Sequence, residues 1–230
     1  MENKPDNTMT FQVGKQRFTN NDVDLWELKA ARRGLMNIKS MFSQQEMLTL
    51  LSKQIEESDA YHHKLIANSH GEYRVSHVDM HVENFNINQL LTSLSKQIAT
   101  GNVNLSAQLA AHPEHYTMPL EYNGILETIG GLVTRLKVTS STSFDDVPEK
   151  VKQFAETDYT ISTIGILKLD DDSPFAYAIH QMRNNDDNSC DLSLKIVYPK
   201  SAPDQMITEH TEHLAIEFRS YIRQAENDNK

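Results

Sequence analysis

Tyr73-Arg74-Val75-Ser76-His77-Val78-Asp79-Met80-His81-Val82-Glu83 is the stretch on which the fold turns. Before it, apolar residues recur three and four apart, the period of a helix. Here they alternate with polar ones, the period of a strand. From Val78 onward one face is apolar, while His77, Asp79, His81 and Glu83 share the other. A half-polar strand belongs to an antiparallel sheet with one wet face, because a parallel sheet is covered on both sides.

Upstream, Leu25, Leu28, Ala31, Leu35, Ile38 and Phe42 lie on one face of a helix opened by Asp24. Ser43-Gln44-Gln45-Glu46 has the spacing of a capping box. A second helix then carries Leu48, Leu51, Ile55, Ser58, His62 and Leu65 in a heptad-like seam. Two amphipathic helices joined at a cap predict a helical hairpin over residues 23–70, preceded by a flexible arm, 1–22. Within that arm Phe11 to Phe18 has the pattern of a short strand pair. The hairpin is charge-balanced, with six acidic and six basic side chains from Asp24 to Lys64.

Downstream, Asn86 caps a helix bearing Ile87, Leu90, Leu91, Leu94 and Ile98, with Gly101 placed to end it. Leu48–Ile55 and Leu91–Ile98 match at all but one position, without a third copy, which fits shared helix formers as well as duplication. Val103 to Leu109 reads as a strand. Pro119 then opens a helix marked by Tyr122, Leu126, Ile129, Val133 and Leu136 and weakened by Gly130-Gly131. Pro148 opens a short helix. Three further strands, Tyr159–Leu169, Phe175–Met182 and Leu192–Val197, are separated by the turns Asp170–Pro174 and Asn184–Asn188. Ser201 caps a closing helix. The fold class is therefore α+β: an N-terminal helical hairpin, then a mixed region, 71–230, with an antiparallel sheet and a C-terminal helix.

The composition narrows the function. The chain has 230 residues, and its 22 basic against 32 acidic side chains leave a net charge of −10. Such a chain repels phosphate backbones, so no nucleic acid is expected as a partner. No window of about 18 apolar residues exists, and the first residues lack an apolar core, so neither membrane nor secretory signal is expected and the chain reads as cytoplasmic. Cys190 is the only cysteine, which excludes disulfides and cysteine-rich zinc sites. Phosphate loops, dinucleotide glycine motifs and nucleophile elbows are missing, so the chain does not read as an enzyme.

Three clusters hold candidate chemistry. His77, Asp79, His81 and Glu83 alternate on one strand face with ligands suited to a divalent transition metal. A second candidate is His210, His213 and Glu217, spaced to converge on one helix face. His210-Thr211-Glu212-His213 and the loop segment His112-Pro113-Glu114-His115 share the form His-x-Glu-His. A surface polar role is the simpler reading of each cluster, so no cofactor is assigned. Asp170-Asp171-Asp172 lacks the spacing of a calcium loop and reads as a turn.

The order of elements from Asp24 to Leu136, a helix pair, a strand, and Phe85-Asn86-Ile87-Asn88-Gln89-Leu90-Leu91 opening a helix, resembles that of a bacterial sensor histidine kinase. The first helix carries no phosphate-accepting histidine, and the nucleotide-binding glycine boxes and the asparagine expected in Leu126–Leu136 are missing. The resemblance therefore implies a degenerate, non-catalytic signalling relative.

The expectation is thus a non-catalytic regulatory or interaction module, homodimeric through Leu25, Leu28, Leu35, Ile38, Leu48, Leu51, Ile55, His62 and Leu65. The alternative is a metal-binding protein or metal-dependent enzyme that uses the His77, Asp79, His81 and Glu83 strand face. A third class is a small-ligand sensor with its pocket between the C-terminal sheet and the helix near Ser201.

Overall fold

The computed structural model describes residues 9–99, 105–117, 124–141 and 143–228. The chain divides into two units, Met1–Phe42 and Ser43–Lys230. In the first, β1 (Thr10–Val13) and β2 (Gln16–Thr19) form an antiparallel hairpin with Phe11 opposite Phe18. The strand-pair pattern within the arm thus corresponds to these two strands. Helix α1 (Asn20–Lys39) starts four residues before Asp24, because Thr19 and Asp22 form a capping box. Trp26 packs edge-on against Phe18 at 4.7 Å. Leu25, Leu28 and Ile38 are exposed and Leu35 is half-buried.

The second unit is α+β. It opens with α2 (Gln44–Leu50), whose Ser43–Glu46 capping box is present, and α3 (Ser52–Ser69). Next come β3 (Tyr73–Glu83), α4 (Ile87–Ala99), α5 (Leu105–Ala111), β4 (His115–Thr117), β5 (Gly124–Ile129) and β6 (Leu132–Ser141). The short α6 (Glu149–Lys152) precedes β7 (Ile161–Lys168), β8 (Pro174–Asn184) and β9 (Ser189–Pro199), and α7 (Asp204–Asp228) closes the chain. The strands form one antiparallel sheet in the order β3-β9-β8-β7-β6-β5-β4. From β4 to β9 it is a meander, and β3 is added beside β9.

Strand periodicity sorts the two faces. Ala176, Ala178 and Met182 of β8 and Leu192, Leu194 and Ile196 of β9 join the core shared with α4 and α7. Tyr177, Ile179 and Val197 face the other way, against Val147 and Val151 around α6. Ser76 of β3 bonds Thr211 of α7, so the even positions of β3 face the long helix and the odd ones do not.

Several expectations are corrected. The helix expected over Leu126–Leu136 is the β5–β6 hairpin. Gly130 and Gly131 occupy its tip with φ of +58° and +77°, the conformation of a two-residue primed turn. This also removes one element from the histidine-kinase likeness. Leu105–Ala111 is helical rather than extended. The expectations at Gly101, Val103, Pro119 and Tyr122 lie outside the described residues. The hairpin seam is reassigned as well. Leu48 and Ile55 pack with Leu126. Leu65 joins the main core and His62 stacks on Phe175 at 4.1 Å. All four are buried within the second unit, so they are core residues of that unit; Leu51 is half-buried against the same cluster. The octapeptide echo also divides: Leu48–Ile55 breaks at Leu51 between α2 and α3, whereas Leu91–Ile98 lies within the single helix α4.

Candidate functional site

The two His-x-Glu-His segments meet. His115 on β4 stands directly opposite Glu127 on β5, and directly opposed residues point to the same face. His213 and Glu217, one turn apart on α7, reach the same place. His115 Nε2 lies 3.0 Å from His213 Nε2. Glu127 Oε2 is 3.4 Å from each of these nitrogens. Glu217 Oε1 is 3.6 Å from His115 Nε2. His115, Glu127 and His213 are buried.

The surroundings fix how the rings are used. His115 Nδ1 lies 3.0 Å from the carbonyl oxygen of Gln108. A carbonyl only accepts, so Nδ1 carries the proton and the Nε2 of a neutral ring turns its lone pair inward. His213 Nδ1 faces Glu114 Oε2 at 3.9 Å. The Tyr221 hydroxyl sits 2.8 Å from both Glu217 Oε1 and Gln108 Oε1. His112 stacks on His213 at 3.7 Å, and its Nδ1 accepts the backbone N–H of Glu114. In the neutral ring the proton of His112 therefore sits on Nε2, which is then no ligand atom.

Electrostatics show how tightly the groups are coupled. Burial opposes the charge of His213, but Glu127 first, and then Glu114 and Glu217, overcome it and raise its pKa to about 9. Burial likewise opposes the Glu127 carboxylate, and His213, His115 and His210 prevail, lowering it to about 2. For His115, burial lowers the pKa while Glu127 and Glu217 prevail in raising it. Two N–H groups cannot face each other across 3.0 Å, so at most one of the two inward nitrogens carries a proton.

This cluster forms part of the wall of a cavity of about 420 Å³ between α7 and the sheet. The rest of the lining is largely apolar, including Ile125, Val138, Leu167, Ile196, Leu214 and Phe218. Gly165 and Ala178 are cross-strand partners in it, and their lack of bulk leaves the space open. His180 also lines it. Burial lowers the pKa of that ring to about 4, and its buried Nδ1 has no hydrogen-bond partner.

The candidates singled out in the sequence are divided. His77 and Asp79 do meet, Nε2 to Oδ1 at 2.8 Å, with the exposed Glu156 close by. They lie on the sheet face away from α7. His81 instead pairs with Asp191 at 2.7 Å, and Glu83 is exposed at the strand end. Of the second candidate, His213 and Glu217 belong to the cluster. His210 lies parallel to His213 with ring centres 5.0 Å apart and is pushed to about 3, by burial first and His213 second, so it supports the ring rather than joining the inward atoms. In the Asp170–Asp172 turn, Asp170 pairs with Arg135 and Asp172 with Lys137. Cys190 is buried, and its thiol is raised to about 11 by burial and then by Asp191. Glu127, Gln108 and Tyr221 are the residues the sequence reading missed. Treating Gly130-Gly131 as a hairpin signal would have placed Glu127 on a strand.

Comparison of the chain with protein-family models, with curated proteins and with solved structures finds no match. No helix among the described residues is long and apolar enough to cross a membrane.

Proposed function

We propose that the second unit binds a small organic molecule, mostly apolar with one polar end, in the cavity between α7 and the sheet. The observation that carries this reading is the cavity itself: about 420 Å³ of largely apolar space, within the range of small-molecule sites, with a few convergent polar groups on its wall. His180, Glu217 and Tyr221 supply those groups. Binding is the activity assigned, because a largely apolar space with polar groups at one end is what such a molecule needs.

The test uses the apolar fluorophore 1-anilinonaphthalene-8-sulfonate as probe. The wild-type chain takes it up with a blue shift. Ala178→Leu, which fills the cavity floor, weakens uptake by about 15- to 60-fold, the value of two to three methylenes of lost space, while the melting temperature stays near that of the wild type. Uptake unchanged by Ala178→Leu would place the probe elsewhere and end this reading.

A second reading, a homodimeric interaction module, is supported by α1 alone. Leu25, Leu28 and Ile38 are 56%, 46% and 56% exposed, and clustered apolar side chains in water mark association surfaces. Light scattering is expected to show a dimer that Leu25→Asp with Leu28→Asp converts to monomer. A wild-type monomer at 100 µM (an order-of-magnitude choice set by weak-interface affinities) would remove it.

A further inference from the structure

We propose that His115 Nε2, His213 Nε2 and a Glu127 carboxylate oxygen bind one divalent transition ion, Zn²⁺ in the first instance, with Glu217 as the fourth ligand. This deepens the account of the cavity wall but stands without an organic ligand, because the ion needs only the protein's own atoms.

Geometry is the first support. Nitrogen and oxygen ligands sit about 2.0–2.2 Å from zinc, so two ligand atoms of a tetrahedron are about 3.3 Å apart. The observed separations are 3.0 Å between the imidazole nitrogens, 3.4 Å from each to Glu127, and 3.6 Å from His115 to Glu217. Each of these separations lies within about 0.3 Å of that tetrahedral spacing, and the side chains are held by β4, β5 and α7 rather than by loops.

The outer contacts are the second support. An imidazole that binds a metal through one nitrogen commonly donates the other N–H to a carbonyl or carboxylate, which fixes ring orientation. His115 does so to the Gln108 carbonyl at 3.0 Å; His213 Nδ1 has no such partner, its neighbour Glu114 Oε2 lying 3.9 Å away, beyond hydrogen-bond reach. Tyr221 braces Glu217. The His115 ring is therefore held with Nε2 turned inward, where it meets His213 Nε2 at 3.0 Å.

Charge is the third. A divalent cation, two neutral imidazoles, Glu127 and Glu217 sum to zero. A buried site with no net charge avoids the cost of leaving a carboxylate or cation uncompensated. Mixed nitrogen and oxygen donors suit zinc and neighbouring divalent ions rather than calcium or magnesium. In the alternative cluster on the far face, Asp79 and Glu156 are exposed and His77 is half-buried.

The experiment uses the full chain, freed of metal with a chelator and returned to Zn²⁺ alone. Competition against a zinc-sensitive dye and elemental analysis should give one equivalent bound. Loss of a group behind a metal-bound imidazole costs about 10–100-fold in affinity, so His213→Gln and Glu127→Gln, which remove ligands, should lose at least the upper end of that range. His77→Ala with Asp79→Ala should leave the affinity unchanged. Because the ligand variants remove buried charges and can fail to fold, wild-type protein is also loaded with Co²⁺, whose visible bands report four-coordinate nitrogen and oxygen ligation. Under a tenth of an equivalent of zinc, absence of those bands, or binding abolished by the His77/Asp79 pair would each overturn the assignment. Probe uptake in the cavity is scored separately, so loss of the metal site and loss of the organic-ligand reading appear as different results.

Discussion

Gly130→Val lowers the stability of the protein by about 3 kcal/mol, the sum of a left-handed backbone at a β-branched residue and a steric overlap. The backbone at Gly130 has φ +58°. A Cβ there would sit 2.7 Å from Met206 Cε and 3.1 Å from Met206 Cβ, on the first turns of α7. The terminal methyl can swing away, but the Cβ moves only with the helix. Gly131→Ala is the control: φ is +77° with nothing within 4 Å of the added carbon, so its cost is the backbone term alone, about 1–2 kcal/mol. A helix through Leu126–Leu136 makes the opposite prediction, since Gly→Ala inside a helix stabilises by about 1 kcal/mol. Denaturant unfolding of wild type, Gly130→Val and Gly131→Ala decides between them by sign. A stabilised Gly131→Ala would refute the β5–β6 hairpin, and with it the placement of Glu127 beside His115.

That contrast shows what was legible in the sequence. Alternation in Tyr73–Glu83, the Thr- and Ile-rich β7, and turn residues around Asp170 and Asn184 gave strands, because periodicity and turn chemistry act locally. The 126–136 stretch deceived because Leu126, Ile129, Val133 and Leu136 fall at helical spacing while also serving two short strands. The decisive glycines fit a weak point in a helix as well as the tip of a hairpin, and only their positive φ separates the two. The site was half legible. Both His-x-Glu-His segments stood out, but their meeting depends on β4 pairing with β5 beneath α7, a contact between residues 98 positions apart for His115 and His213. No local pattern encodes that. The heptad-like seam of Leu48, Ile55, His62 and Leu65 was a true apolar face, and the partner it covers is this unit's own sheet.

His62 turns that reassignment into a measurable pH dependence. As a seam histidine it would titrate against a partner helix. Here it is fully buried in α3, with Nδ1 3.3 Å from Ser58 Oγ, itself 2.8 Å from Thr134 Oγ1 on β6. Its ring stacks on Phe175, and Nε2 has no hydrogen-bond partner. Burial first, and the neighbouring His63 second, lower its pKa to about 4, whereas an unfolded histidine titrates near 6.5. Below pH 6.5 the unfolded chain takes up a proton that the folded chain refuses. Stability is therefore fully present above 6.5, falls as the pH drops toward 4, and flattens below it. A gap of about 2.5 pKa units corresponds to about 3 kcal/mol. Asp59, one turn away, is raised to about 6 by burial and then by Asp170; it works the other way, its contribution present at low pH and lost as pH rises through 6. The informative quantity is thus the difference between wild type and His62→Gln, measured by urea unfolding from pH 7.5 to 3.5. The variant's profile should be flatter by about 3 kcal/mol across that window, at equal protein concentrations spanning tenfold. Parallel profiles would mean that His62 does not sit in the core. A difference that grew with protein concentration would return it to an interface between chains.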